Sequence, residues 1–408
     1  EYAVKNRMGM LTAGAVALAV ALGMLLWCRS LNTTIVPVVE FYAPDNLNPA
    51  QVGTIIDGRT DNKDITALII YWASHGHLII EDRGGSFTLK KQSDLDEAHA
   101  SHERIAFNDL WKLGKEGVVH ESELDEHYYV TVQNTKNAVQ AQYLSGPTRL
   151  IQKGSGFPSF LGLLLSCAMA FAALFEGVYA QTFSAAMASV MGVLAIMLIL
   201  VVFAWAKAAA GKRHLKGSAA IGSVPLYIVS AAMALVLAVI ALPSIELGFF
   251  LRLPLLLAAF LTAIFAGAIK RYSQYGAYIL GRTVGFRNFL KYAEVERLEA
   301  LLKDNPSYYY DTLPYAMVLD LTKVWADKFA SLVTQPPTWY YSDMSTFNTL
   351  IFLSMLNRTT ARMNHVMVST PPPPPGTGGG GGFSGGGFGG GGGGFSGGGS
   401  GGGGGRSW

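Results

Sequence analysis

Charge and cysteine are both scarce in this 408-residue chain. Asp, Glu, Lys and Arg make up only 14% of it, against about 25% in ordinary soluble proteins. That deficit argues against a conventional soluble enzyme and against a highly charged disordered chain. The two cysteines, Cys28 and Cys167, lie far apart beside or inside apolar runs, a placement that points neither to a disulfide framework nor to a metal site. HExxH, paired CxxC, nucleophile-elbow, P-loop and kinase signatures are also missing. No catalytic, metal-binding or cofactor-binding residue is therefore assigned, and the chain reads as a non-enzymatic protein without a cofactor. The net charge of +3 is too small to argue for nucleic acid.

What the chain has is apolar length. A bilayer core of about 30 Å needs roughly 20 mostly apolar residues as a helix, and five segments qualify: Met8–Trp27, Phe157–Tyr179, Ala185–Ala206, Ile221–Leu242 and Gly248–Ile269. Glu176, Glu246 and Arg252 sit near span ends. Lys207, Lys212, Arg213 and Lys216 fill the loop between the third and fourth of these, and Lys270 and Arg271 follow the fifth, whereas "GVYAQTFS" and "PSIELG" carry no Lys or Arg. Positive loops face the cytoplasm. The expected topology puts the N-terminus outside and residues 28–156 and the C-terminus inside. The chain begins at Glu1 without Met, with Lys5 and Arg7 just ahead of an apolar run, and reads as a fragment or processed chain.

Punctuation is clear in residues 45–91. Asn48 is an N-cap with Pro49 in the first helical position, and Gly58 ends that helix. Asp61 caps the next, with Asp64 three residues on in a capping-box spacing. Ile65, Leu68, Ile69 and Trp72 recur at helical spacing up to Gly76. "HLIIED" and "SFTLKK" read as a hairpin. Helix, helix and hairpin in that order give a winged-helix-like α+β domain without the usual first helix. Residues 101–113 and 128–144 read as further helices. The domain holds 12 Lys and Arg against 17 Asp and Glu, a balance that repels duplex DNA. Six of the eight His fall here, with no metal-site spacing.

Beyond the fifth span, "FRNFLKYAEVERLEALLKDNP" places Phe286, Leu290, Ala293, Leu298 and Leu301 on one helical face, and "DTLPYAMVLDLTKVWADKFASLV" stripes Tyr315, Val318, Trp325 and Phe329. Each reads as a single helix. "FNTLIFLSML" is too short to span and reads as a packed or interfacial helix. Residues 270–408 hold 12 basic and 8 acidic residues, so their charge is opposite to that of 28–156 and favours contact between 28–156 and 282–333, or of the basic part with anionic lipid. The Gly-rich end cannot fold a core and reads as a disordered tether reaching roughly 30 Å, tipped by Arg406, Ser407 and Trp408.

The segments "FYAPDNLNPAQVGTIIDGRTDNKDITALIIYWASHGHLIIED" and "LKDNPSYYYDTLPYAMVLDLTKVWADKF", followed by the Gly-rich tail ending in Ser-Trp, resemble the cytoplasmic signature of the YciQ-like predicted membrane proteins, a domain-of-unknown-function family. The resemblance implies a location in a bacterial cytoplasmic (inner) membrane, an extracytoplasmic β-rich domain ahead of the first span, and no catalytic residue.

The expected fold class is thus a mainly α membrane protein. Residues 1–27 form the first transmembrane helix and 28–156 the winged-helix-like cytoplasmic domain. Residues 157–269 form a four-helix transmembrane bundle, 270–370 a helical cytoplasmic region and 371–408 the disordered tail. The expected function is a scaffold or signalling protein, embedded in the lipid bilayer, that couples an extracytoplasmic domain to cytoplasmic protein partners. Asp61, Asp64, Trp72, Trp325, Arg406, Ser407 and Trp408 are the candidate interaction residues. The alternatives are a channel or transporter built from the second to fifth spans and, behind it, a membrane-tethered DNA-binding regulator, although no nucleic acid is expected.

Overall fold

A computed structural model describes residues 7–83, 86–182, 184–211, 247–333, 335–342 and 348–371. The expected span Ile221–Leu242 and the Gly-rich tail lie outside them. The described chain is mainly helical, with three helices long and apolar enough to cross a membrane.

These three are α1 (Arg7–Leu31), α7 (Gly156–Thr182) and α8 (Ala185–Gly211). Helix α9 (Leu247–Gly267) packs with them, but its apolar part, Arg252–Gly267, is shorter. The expectation of five spans is therefore met by three among the described residues. The side chains α1 buries, Met10, Gly14, Ala17, Ala21, Met24 and Cys28, alternate four and three apart, which is the stripe one helix offers another in knobs-into-holes packing. Small residues let the backbones close up: Ala17 and Ala21 meet Ala258, and a Cβ on Gly14 would stand 3.0 Å from that of Pro254. The opposite face carries exposed Val16, Leu22 and Leu26, as a lipid-facing surface would.

The rest of unit Glu1–Thr370 is globular and draws on both sides of the span region. Helices α2 (Pro49–Asp57) and α3 (Asn62–Ser74) start and stop where local chemistry dictates. Asn48 and Gln51 exchange reciprocal backbone-to-side-chain bonds at 3.0 Å each, and Gly58 and Gly76 close the two helices in the left-handed region at φ 75° and 81°. Strands β1 (Leu78–Arg83) and β2 (Ser86–Lys91) form the antiparallel hairpin. Next come α4 (Ser101–Trp111), β3 (Val118–His120), the single-turn α5 (Glu121–Leu124) and α6 (Tyr129–Leu144).

After the spans follow α10 (Gln274–Tyr292), α11 (Val295–Asp304), α12 (Tyr308–Val318), α13 (Thr322–Phe329), β4 (Tyr340–Ser342) and α14 (Thr349–Val366). Strand β4 runs parallel to β1, so the sheet order is β3-β2-β1-β4. One core runs through both halves and includes Ile55, Leu68, Trp72, Phe107, Phe286, Leu313 and Trp325.

Three helices differ from their expected extent. The stretch from Phe286 to Leu301 is two helices broken at Ala293, where ψ is 136°. Phe289 and Leu290 of α10 and Leu298 and Leu301 of α11 nevertheless enter the same core. The stretch from Asp311 to Val333 is also two helices, separated at Asp320 with φ 55°; the first begins at Tyr308 and carries Pro314 inside it. Helix α14 continues through a polar second half to Val366, with Phe352, Leu356 and Met363 buried.

Candidate functional site

The most distinctive arrangement is the route from the first span into the globular region. Residues 32–43 form no helix or strand, and several of their polar groups bond to other elements. Asn32 donates its side-chain amide to the Ala268 carbonyl at 3.3 Å and accepts the Lys270 N–H at 2.6 Å. The Thr33 hydroxyl donates to the Tyr272 carbonyl at 3.3 Å and accepts the Tyr272 N–H at 3.2 Å. The end of α1 is therefore tied to the exit from α9.

The segment then lies along α10. Gly281 and Gly285 are one turn apart, and both lack a side chain where the strap passes. A Cβ on Gly281 would stand 2.5 Å from the Val36 carbonyl oxygen, and one on Gly285 would stand 1.5 Å from that of Val38. The Val38 N–H donates to the Gly281 carbonyl at 3.3 Å. Between the two glycines Arg282 donates to the carboxylates of Glu40 and Asp45. The hydrogen bond to Glu40 holds the guanidinium above its ordinary range, as expected for a cation with two acid partners. Phe41 packs edge-on against Phe289 with ring centroids 4.9 Å apart, and the Arg297 guanidinium lies 4.4 Å above its ring.

The sequence-derived interaction residues are placed as follows. Asp61 caps α3; its N–H donates to Asp64 at 2.6 Å and its carboxylate pairs with Arg59 at 3.1 Å. Asp64 is fully buried, and burial raises its carboxyl well above the usual range. A Cβ on Gly53 would come within 2.3 Å of its Oδ1. Trp72 is fully buried and donates its indole N–H to Glu103 at 2.8 Å; Asn48 donates to the other Glu103 oxygen at 2.8 Å. Trp325 is fully buried and donates to the Thr312 hydroxyl at 3.0 Å. In this state Asp64, Trp72 and Trp325 are interior groups that a partner cannot touch, because tertiary packing covers the stripe each belongs to. Arg406, Ser407 and Trp408 lie outside the described residues.

Other titratable groups hold the fold together. Burial pushes Asp82 upward, but hydrogen bonds from Thr359, Tyr340 and Arg362 outweigh it and hold the carboxylate below its usual range, tying β1 to β4 and α14. Burial raises Asp57 to about 6 and lowers His102 to about 4. Among the described residues no group of three His, Cys, Asp or Glu is placed to hold a metal ion.

Sequence reasoning passed over the strap and its anchor. The signal was present in "GRTVG", two glycines four apart flanking an arginine, the small-xxx-small spacing that admits a close neighbour to a helix face. It also placed Arg252 near a span end; the residue is the sixth of α9 and is buried, with its Nε unpaired.

The family described as "Predicted membrane protein (DUF2207) C-terminal domain" matches residues 38–224 and 208–329. No curated protein and no solved structure matches significantly. The match covers more than half of the chain, which belongs to this family.

Proposed function

We propose that this DUF2207 family member is a non-enzymatic, multi-pass protein of the bacterial cytoplasmic membrane that relays the state of an extracytoplasmic domain to a cytoplasmic platform for protein partners. The observation that carries this reading is the strap. The first span leads directly into residues 32–43, which are fixed to α10 by Gly281, Gly285 and Arg282. A rotation or shift of α1 would therefore act on the globular core, without a slack linker in between. The bias of Lys and Arg toward Lys207–Lys216 and Lys270–Arg271 supports an inward-facing globular region.

The succession of α2, α3 and hairpin supports a winged-helix-like reading of residues 45–91, used here as scaffold. A DNA-reading role is disfavoured by burial as well as charge. Residues 64–70 of α3 are all buried, so the helix has no free face to enter a groove.

Two experiments on the full chain test the proposal. A cysteine at exposed Lys112 should resist a membrane-impermeant maleimide in intact cells and react after lysis; labelling in intact cells would reverse the topology. Photo-cross-linkers on the exposed globular surface should capture protein partners whose yield changes when α1 is perturbed, and a yield indifferent to α1 would remove the relay. A transport reading draws on buried Arg252 and Thr262 within α9; flux in proteoliposomes abolished by Arg252→Ala would favour it.

A further inference from the structure

Where the spans meet the globular region there is a cavity of about 590 Å³, within the size range of small-molecule sites. Its membrane side is formed by Leu163 of α7 and by Phe203 and Lys207 of α8, and Lys270 and Tyr272 follow the exit from α9. Its other side is formed by Ile55 and Asp57 at the end of α2 and by Tyr143 of α6. The start of α7 and the ends of α8 and α9 meet here, so the cavity stands at the level where a bilayer's headgroups begin.

Three features of the lining point to one kind of occupant. The two lysines and one aspartate leave an excess of one positive charge. Lys207 and Lys270 are held over the rings of Phe203 and Tyr272, at 5.9 and 5.0 Å from the centroids, which keeps the aliphatic stems on apolar surface and the ammonium groups at the polar level. Tyr143 lines the cavity and is 4% exposed, and its hydroxyl, closed to solvent behind the ring, has no hydrogen-bond partner. A buried donor without an acceptor is destabilising, so an anionic oxygen brought to it would satisfy it. Basic pockets between membrane helices on the cytoplasmic side are known to bind anionic lipid headgroups.

We infer that this cavity is a phospholipid site, in which the phosphodiester of a membrane glycerophospholipid is received by Lys207, Lys270 and the Tyr143 hydroxyl while an acyl chain lies on Leu163 and Phe203. Asp57 Oδ1, buried and also without a partner, offers an acceptor to a donor group on the headgroup. The lipid then joins the spans to the globular region. The inference needs the chain to be a membrane protein and stands independently of the relay.

The test is native mass spectrometry of the full chain, delipidated in detergent and titrated with phosphatidylglycerol, phosphatidylethanolamine or diacylglycerol. Either phospholipid should be retained at a concentration at least tenfold below that needed for diacylglycerol. Lys207→Gln with Lys270→Gln should weaken retention at least tenfold. Tyr143→Phe, which keeps the ring and so the packing, should weaken it about threefold. Lys153→Gln, an exposed lysine outside the cavity, should change nothing, and millimolar inorganic phosphate should not displace the lipid. Retention of diacylglycerol equal to that of the phospholipids would overturn the inference. So would loss with Lys153→Gln equal to the double variant, displacement by free phosphate, or unchanged binding in variants whose thermal melts match the parent.

Discussion

The carbonyl oxygen of Val38 occupies the space where a side chain on Gly285 would begin, 1.5 Å from the ideal Cβ position. In an exposed helix, replacing Gly by Ala stabilises by about 0.5–1 kcal/mol. Here the sign should reverse. Gly285→Ala is expected to destabilise the globular region by about 1–3 kcal/mol, the usual cost of overpacking, and Gly281→Ala should do so by less, its clash being 2.5 Å. Gly23→Ala in α1, where nothing lies within 4 Å, should be neutral or stabilising. Thermal melts of the three variants in one detergent decide the order.

Arg282 joins Glu40 of the strap and Asp45, two residues beyond it, to α10 through partly buried ion pairs. Arg282→Ala should cost about 2 kcal/mol, in the range for hydrogen bonds to charged groups. It should also raise proteolytic cleavage within residues 32–46. Reversal of the pair with Arg282→Glu and Glu40→Arg should recover part of the loss, since the second acid, Asp45, stays unpaired. Cleavage rates unchanged in Arg282→Ala would show that the strap is held by its backbone contacts alone.

Trp72 and Glu103 form a buried donor–acceptor pair at 2.8 Å. Trp72→Phe removes the indole N–H and leaves a carboxylate oxygen unsatisfied, at an expected cost of about 2–4 kcal/mol, combining the lost volume with a buried unpaired acceptor. Glu103→Leu added to Trp72→Phe should cost less than the two changes summed. Denaturant titration measures both. For the same reason, any partner-binding defect of Trp72 or Trp325 variants should track the folded fraction.

Asp57 and His102 give opposite pH dependences. Burial raises Asp57 from 3.8 to about 6. The folded state then binds the proton more tightly, and its contribution to stability is full below pH 3.8 and lost as the pH rises through 6. Burial lowers His102 from 6.5 to about 4. Its contribution is full above pH 6.5 and lost as the pH falls through 4. Each amounts to on the order of 3 kcal/mol at about 1.4 kcal/mol per unit, so between pH 4 and 6 they largely offset one another. Asp57→Asn should stabilise the protein at pH 7.5 and expose a steeper acid loss, whereas His102→Gln should leave stability falling with rising pH across that window. Parallel melts from pH 4 to 7.5 check both slopes.

Local chemistry was enough to place α2, α3 and the hairpin, because Asn48, Pro49, Gly58, Asp61 and Gly76 act on their immediate neighbours. Apolar length placed α1, α7 and α8 for the same reason. What sequence did not reveal depends on distant partners. Strand β4 is three residues long and exists because β1 offers an edge 258 residues away along the Asp82–Tyr340 bond. The breaks at Ala293 and Asp320 let the helices on either side turn and still deliver their apolar residues to one core. Trp72 and Trp325 sit at helical spacing, and periodicity identifies a covered face without saying whether the cover is the chain itself or a partner. The strap shows in sequence only as two glycines and an arginine, and its meaning needs Val36, Val38 and Glu40 brought alongside.

Under the relay proposed above, α1, the strap and α10 move as one body. Hydrogen exchange across residues 32–43 and 274–292 tests it most directly, measured on the full chain in nanodiscs for Ala21→Leu and Leu22→Phe. Ala21 is 2% exposed against Ala258, whereas Leu22 is 56% exposed on the opposite face. Wedging α1 away from α9 with Ala21→Leu should raise exchange at Val38 and along α10 by at least tenfold, with Leu22→Phe indistinguishable from the parent. Faster exchange confined to α1 and α9, with the strap and α10 unchanged, would leave the relay without a path.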